Sequence, residues 1–214
     1  MKPRVLTSAV YSGLLTVLIG ISALAIGNHV TRGFQAITAD GVRRIDLVRS
    51  PRRLPPIPLL GSDGKVFSLS DLGDPRRHFT LVALVYTRCV TICRVSASGQ
   101  VYLQKEIFER GMEHKIKLLT LSFDPINDTP SVLSAYARRM KADNRLWTFA
   151  TPRHAADLNV LLKLFGVVVL PDGLGGYSHN GALFLLDRQG RVSAAYDIDR
   201  PDAALADLLP RLGI

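Results

Sequence analysis

The sequence predicts an α/β sandwich with a central mixed sheet, preceded by a single N-terminal transmembrane helix. Three observations carry this expectation. An uncharged apolar run opens the chain; beyond a proline-rich stretch, apolar β-branched runs alternate with segments of helical spacing; and the alternation closes with a hairpin and a last helix.

The apolar run extends from Val5 to Ile26, after a short head (1–4) that carries Lys2 and Arg4. Its length matches the roughly 20 helical residues that cross a hydrocarbon core, so 5–26 reads as an anchor. A cleaved signal is the other reading, since Ala23-Leu24-Ala25 offers a small-x-small site, but a signal has a shorter apolar core. Lys2 and Arg4 on one side nearly balance Arg32, Arg43 and Arg44 on the other, so charge alone leaves the orientation open.

Residues 27–54 read as a basic, proline-rich stalk that carries Arg32, Arg43, Arg44, Arg49, Arg52 and Arg53, and Pro51, Pro55, Pro56 and Pro58 mark an extended linker. The globular domain is expected over 55–214. After the turn Gly61-Ser62-Asp63-Gly64, a strand is predicted over 65–69. Thr80–Tyr86 is continuously apolar, as a strand buried on both faces should be. A helix follows over Ser96–Arg110, stopped by Gly111, then a buried strand over Lys117–Leu121. Thr129 and Pro130 make an N-cap and first helical position, and that helix should run to about Met140. Trp147–Phe149 reads as a strand, Ala155–Phe165 as a helix and Gly173–Gly176 as a loop. Ala182–Leu186 and Val192–Tyr196 flank the turn Asp187–Gly190, and Asp202–Leu212 closes the chain as a helix. This order is that of a thioredoxin-type sandwich.

Composition narrows the function. The chain has 214 residues with 27 Lys+Arg against 18 Asp+Glu, a net charge of +9, and two cysteines. Two cysteines make neither a disulfide framework nor a four-cysteine metal site. The arginines of the stalk are not interleaved with aromatic residues, so a solvated stalk near lipid headgroups is expected and nucleic-acid binding is not.

Cys89 and Cys93 follow the buried strand directly and stand four residues apart at the start of a helix. On one helical turn their Cβ atoms lie about 5–6 Å apart, close enough to share one metal ion or to close into a disulfide. The helix N-terminus, Arg88 and Arg94 favour the thiolate, which serves either chemistry. Of the five histidines, His29, His78, His114 and His154 lie away from this turn. His179 precedes the strand Ala182–Leu186, and in this fold the segment before that strand reaches the cysteine turn. Two thiolates and an imidazole suit copper better than structural zinc, which normally takes four protein ligands.

Four segments together resemble one family: Leu81–Cys93 (LVALVYTRCVTIC), Thr120–Ala137 (TLSFDPINDTPSVLSAYA), Leu164–Val167, and His179 followed by Leu183–Asp187. They are similar to the Sco/SenC family of membrane-anchored, thioredoxin-like copper proteins, with Asp124-Pro125 and Asp128-Thr129-Pro130 as the most specific part. The resemblance implies one copper per chain, Cu(I) or Cu(II), held by Cys89, Cys93 and His179, with Asp124 close by. It implies a copper-handling assembly factor, rather than an enzyme, that serves the binuclear copper site in the copper-containing subunit of cytochrome c oxidase or another thiol or copper partner. It also implies a single-pass protein of the inner membrane with its C-terminal domain in the periplasm.

The motif departs from the family's usual C-P-D-V-C-P, with Val90, Thr91 and Arg94 at the differing positions, and Ser178 stands where an Asp commonly precedes the histidine. These changes motivate an alternative: a metal-independent periplasmic thiol:disulfide oxidoreductase in which Cys89 and Cys93 are the catalytic redox pair. A peroxide-reducing enzyme fits less well, because Thr87 is two rather than three residues before Cys89 and no proline lies between Pro75 and the cysteines. A binding module with inert thiols is the remaining non-enzymatic reading.

Overall fold

The computed structural model describes residues 3–73, 78–89, 92–173 and 175–213, and the side chains of all of these except 3–9 and 92–95. The chain forms two compact units, Met1–Asp46 and Leu47–Ile214.

The first unit is built on α1 (Pro3–Val30). Within it Val10–Val30 is long and apolar enough to cross a membrane, and its side chains are exposed rather than packed on protein. A helix of this kind at the N-terminus is a membrane anchor or a signal sequence. The apolar helix runs on to Val30, four residues beyond Ile26, because Gly27, Asn28 and His29 continue it before Gly33 at φ +78° ends it. Arg32 then pairs through two hydrogen bonds with Asp46 (2.7 and 2.8 Å). Residues expected as stalk form α2 (Ala39–Arg49), with Asp40 in the first turn and Arg49 in the last, charges that complement the helix dipole.

The second unit is a mixed sheet with helices packed on it. Its strands are β1 (Arg52–Arg53), β2 (Pro58–Gly61), β3 (Val66–Ser68), β4 (Phe79–Val85), β5 (Ile116–Ser122) and β6 (Trp147–Pro152), with β7 (Val169–Pro171), β8 (Tyr177–His179), β9 (Leu183–Leu186) and β10 (Arg191–Tyr196) after them. The eight-stranded sheet has the order β1-β10-β9-β4-β5-β6-β2-β3, and β7 pairs with β8 in a separate hairpin. Strands β4, β5 and β6 are parallel, while β9 lies antiparallel to β4.

Every residue of β4 is buried, which requires cover on both faces of the sheet. Helix α3 (Ile92–Glu109) packs on β4 and β5, and beside it α6 (Pro201–Arg211) packs on β9 and β10. Helix α4 (Pro130–Arg139) covers β6. Helix α5 (Leu158–Phe165) places Phe165 against Phe184 of β9, ring centroids 4.9 Å apart. The sequence reading missed β1, β2, β7 and β8, and it drew Ala155–Phe165 as one helix where a 3-10 turn, Ala155–Asp157, precedes α5.

The registers fix where a site can form. Val85 at the end of β4 lies beside Ser122 at the end of β5, and Ala83 lies opposite Leu183 at the start of β9. Three connections therefore leave the sheet at one edge: the turn after β4, the loop after β5 and the segment before β9. Ligands of open α/β sheets bind at this carboxyl edge.

Candidate functional site

The turn after β4 carries Tyr86, Thr87, Arg88 and Cys89, and the Cys89 N–H donates to the Tyr86 carbonyl at 3.1 Å. Cys89 is buried. Cys93 lies in the first turn of α3, which starts at Ile92, four residues before the expected start at Ser96. Its side chain lies outside the described residues, as do that of Arg94 and all of Val90 and Thr91.

His179, expected in a glycine-rich loop, ends β8 instead. It is the inward member of a hairpin in which it faces Val169, and strand alternation turns Ser178 outward, where it is exposed. The imidazole lies edge-on to Phe123 (centroids 5.0 Å) and to Tyr86 (6.5 Å). Tyr86 also meets Phe123 (5.4 Å) and Tyr177 (5.2 Å), so four rings from the three converging segments form one cluster. The hairpin is tied down by the Tyr86 hydroxyl, which accepts from Tyr177 N–H (3.1 Å) and donates to Tyr177 C=O (3.3 Å). Hence the structure brings His179 to the residue three positions before Cys89.

Burial pushes the His179 imidazole below its ordinary value. Desolvation disfavours the cation, and the neutral ring is the form that offers a lone pair to a metal ion. The donor chemistry of buried Cys89 and neutral His179 thus fits a soft metal. Among the described residues, which do not include the Cys93 side chain, no group of three or more His, Cys, Asp or Glu is arranged to hold a metal ion.

Asp124, the carboxylate expected near the ligands, is buried just after β5. Its Oδ2 pairs with Arg88 Nη2 at 3.4 Å, and both oxygens accept from Asn127 Nδ2 at 2.9 Å. It therefore touches the residue immediately before Cys89. Sequence reasoning did not assign a role to the next carboxylate, Asp128, or to Thr87 and Ser122, which bond to it. The only signal was that Asp128 belongs to the Asp-Thr-Pro segment of the resemblance.

An open groove of about 970 Å³ is lined by the β2–β3 hairpin and its turn, the 3-10 turn Leu69–Leu72 and the start of β6, including Asp63, Lys65, Asp71 and Trp147. It shares no residue with the cysteine turn or the His179 hairpin, and its shallow, mixed lining holds no convergent set of donors. The chemistry of the donor residues, not the size of the groove, identifies the site.

Comparison with known proteins agrees with this geometry. The family described as SCO1/SenC matches residues 58–212. The "SCO1 protein homolog" of Bacillus subtilis (strain 168) is 26% identical over 144 residues, covering 66% of this chain and 72% of that protein. A SCO1/SenC family lipoprotein from Bacillus anthracis str. Ames superposes with a TM-score of 0.67 at 24% identity, over 78% of this chain and 99% of that one. Bradyrhizobium japonicum ScoI, a structure with copper bound, superposes with a TM-score of 0.59 at 23% identity, over 74% of this chain and 98% of that one. The family match spans strands β2 to β10, all of the sheet but β1, and all three segments that meet at its carboxyl edge, and on that ground the chain belongs to the SCO1/SenC family.

Proposed function

We propose that this protein is a copper-binding assembly factor that delivers copper to, or maintains the thiols of, the binuclear copper site of cytochrome c oxidase. The observation that carries the reading is the convergence of the Cys89 turn and the His179 hairpin on one aromatic cluster in a SCO1/SenC fold. Copper is the cargo, and Cys89, Cys93 and His179 are its ligands. Bound copper in the Bradyrhizobium japonicum relative supports the choice of metal. Both thiolates supply soft donors, and the desolvated imidazole supplies the third without adding charge. The N-terminal helix anchors the protein in the inner membrane as a single pass, with the second unit in the periplasm.

The test uses the full-length chain in detergent, reduced and titrated with Cu(I). It should retain about one equivalent, and Cys89→Ala and Cys93→Ala should each lose it. Loading with Cu(II) should give thiolate-to-copper charge-transfer absorption. If Cys89→Ala holds copper as tightly as the unaltered chain, the proposal fails.

The second reading, a metal-independent thiol:disulfide oxidoreductase, draws on Val90 and Thr91 in place of the family's Pro and Asp. In it, Cys89 and Cys93 close to a disulfide while a partner's disulfide opens to two thiols. A His179→Ala chain that still reduces a disulfide substrate at the unaltered rate favours this reading over copper delivery.

A further inference from the structure

We propose that Asp128, acting through Thr87, is the positioning residue of the Cys89 turn. The copper arm of its test rests on the function proposed above; the geometry does not.

Asp128 has no exposed surface, and a carboxylate buried this deeply must have its oxygens satisfied. Three donors do so. Oδ2 accepts from the Thr87 backbone N–H at 3.0 Å and from the Ser122 hydroxyl at 2.5 Å, while Oδ1 accepts from the Thr87 hydroxyl at 2.5 Å. The Ser122 hydroxyl in turn accepts from Asp124 N–H (3.0 Å), and Asp128 N–H donates to the Asp124 carbonyl (2.8 Å). One side chain thereby joins the turn two residues before Cys89, the last residue of β5 and the loop that carries Asp124.

The placement of these bonds separates positioning from helix capping. Asp128 stands just ahead of α4, where a carboxylate could cap the helix, yet the N-cap is Thr129 and no side chain caps it. All three side-chain bonds of Asp128 point instead to the carboxyl edge of the sheet. Thr87 receives two of them, through its amide and its hydroxyl, which fixes both its backbone and its χ1. From Thr87 the chain reaches Cys89 through a turn closed by the Cys89 N–H to Tyr86 C=O bond. With Thr87 held from one side and Tyr86 packed among the rings from the other, the Cys89 backbone has one place to go. Hydrogen bonds gathered on one buried side chain, away from competing water, make the link stiff.

The experiment uses full-length protein in detergent, with circular dichroism to establish folding of each variant. Thr87→Val keeps shape and removes the hydroxyl; Thr87→Ser keeps the hydroxyl; Asp128→Asn presents an NH2 group where the carboxylate accepted hydrogen bonds. In a Cys93→Ser background, iodoacetamide reads Cys89 alone. Thr87→Val and Asp128→Asn should raise its alkylation rate about tenfold, the size expected from losing a hydrogen bond to a charged group, and Thr87→Ser should restore the slow rate. With Cys93 intact, the same variants should lower Cu(I) affinity by a similar factor against a chromogenic chelator. A merely structural role would lower the denaturation midpoint while leaving alkylation of the folded protein unchanged, and that result overturns the proposal. If Asp128→Asn does not fold, the Thr87→Val and Thr87→Ser pair decides. If the unaltered chain binds no Cu(I), the function proposed above fails and the alkylation arm still judges Asp128.

Discussion

Replacing Tyr86 with Phe isolates the tie between the histidine hairpin and the cysteine turn. The ring would keep its contacts with Phe123 and Tyr177, so core volume is preserved and only the hydroxyl is lost. That hydroxyl serves both the N–H and the C=O of Tyr177. The residue opposite Tyr177 in the hairpin is Pro171, which has no N–H to give, so the Tyr86 hydroxyl supplies a donor that the strand pairing cannot. Two neutral hydrogen bonds, one of them long, amount to about 1–2 kcal/mol, with water replacing part of the loss because Tyr177 is half-buried. At a urea dependence of about 2–3 kcal/mol per molar, the unfolding midpoint should fall by roughly 0.5 M. Amide exchange at Tyr177 should speed up, and since β8 also carries His179, Cu(I) affinity should weaken by up to about tenfold, the equivalent of 1.4 kcal/mol. The assays are urea denaturation, amide exchange by NMR and chelator competition. An unchanged midpoint together with unchanged Tyr177 exchange would refute the claim that this hydroxyl holds the hairpin.

Two further changes probe the frame around the site. A Cβ on Gly73 would stand 2.2 Å from Gly190 Cα and 2.8 Å from its N, backbone against backbone, and Gly190 occupies its turn at φ +70°. Gly73→Ala should therefore cost roughly 1–3 kcal/mol in urea unfolding, and unaltered stability would show that this close approach is absent. At Asp143, hydrogen bonds from the Arg145 guanidinium hold the carboxyl at about 2, below its ordinary 3.8. A depressed carboxyl stabilises the fold above its unfolded pKa and loses that contribution as pH falls toward its folded pKa. The difference between the unaltered chain and Arg145→Ala should then be full above pH of about 4 and close toward about 2. Arg145 is mostly exposed and screened by solvent, so the gap should be small, and a gap that persists at the acid end in thermal unfolding contradicts the assignment.

Strand β4 was legible because a strand buried on both faces carries its evidence in composition, and Phe79–Val85 lies within one residue of the expected Thr80–Tyr86 at each end. Helix α4 was legible from Thr129-Pro130, although the Thr129 side chain caps nothing and bonds Ser131 instead. Strands β1 and β2 were hidden by Pro51, Pro55, Pro56 and Pro58, which read as linker; Pro58 opens β2, a strand position where its missing N–H does no harm. The hairpin β7–β8 was hidden by the glycine-rich segment it encloses, since two strands of three residues carry no usable period. The position of His179 was nonetheless predictable, because it depended on β9 pairing with β4 rather than on the local conformation. The role of Asp128 was not predictable, because its bond to Thr87 spans 41 residues and no periodicity reports a contact of that range.

The alternation along β8 also changes the meaning of one departure from the family pattern. An Asp in place of Ser178 would add a carboxylate one residue from His179, the proposed copper ligand, which suggests an anion bearing on the metal. In the strand, Ser178 is exposed and points to the opposite face from Tyr177 and His179, beside exposed Leu170 on the paired strand. A charge there would face solvent, where screening weakens it, and would be separated from the imidazole by the backbone of β8. The change from Asp to Ser alters the outer surface of the hairpin more than the donor set within. The carboxylates that bear on the Cys89 turn come from the loop after β5, where Asp124 meets Arg88 and Asp128 holds Thr87. That loop contains the Asp-Pro and Asp-Thr-Pro elements that carried the resemblance most specifically. The family signature and the support of the cysteine turn are the same residues.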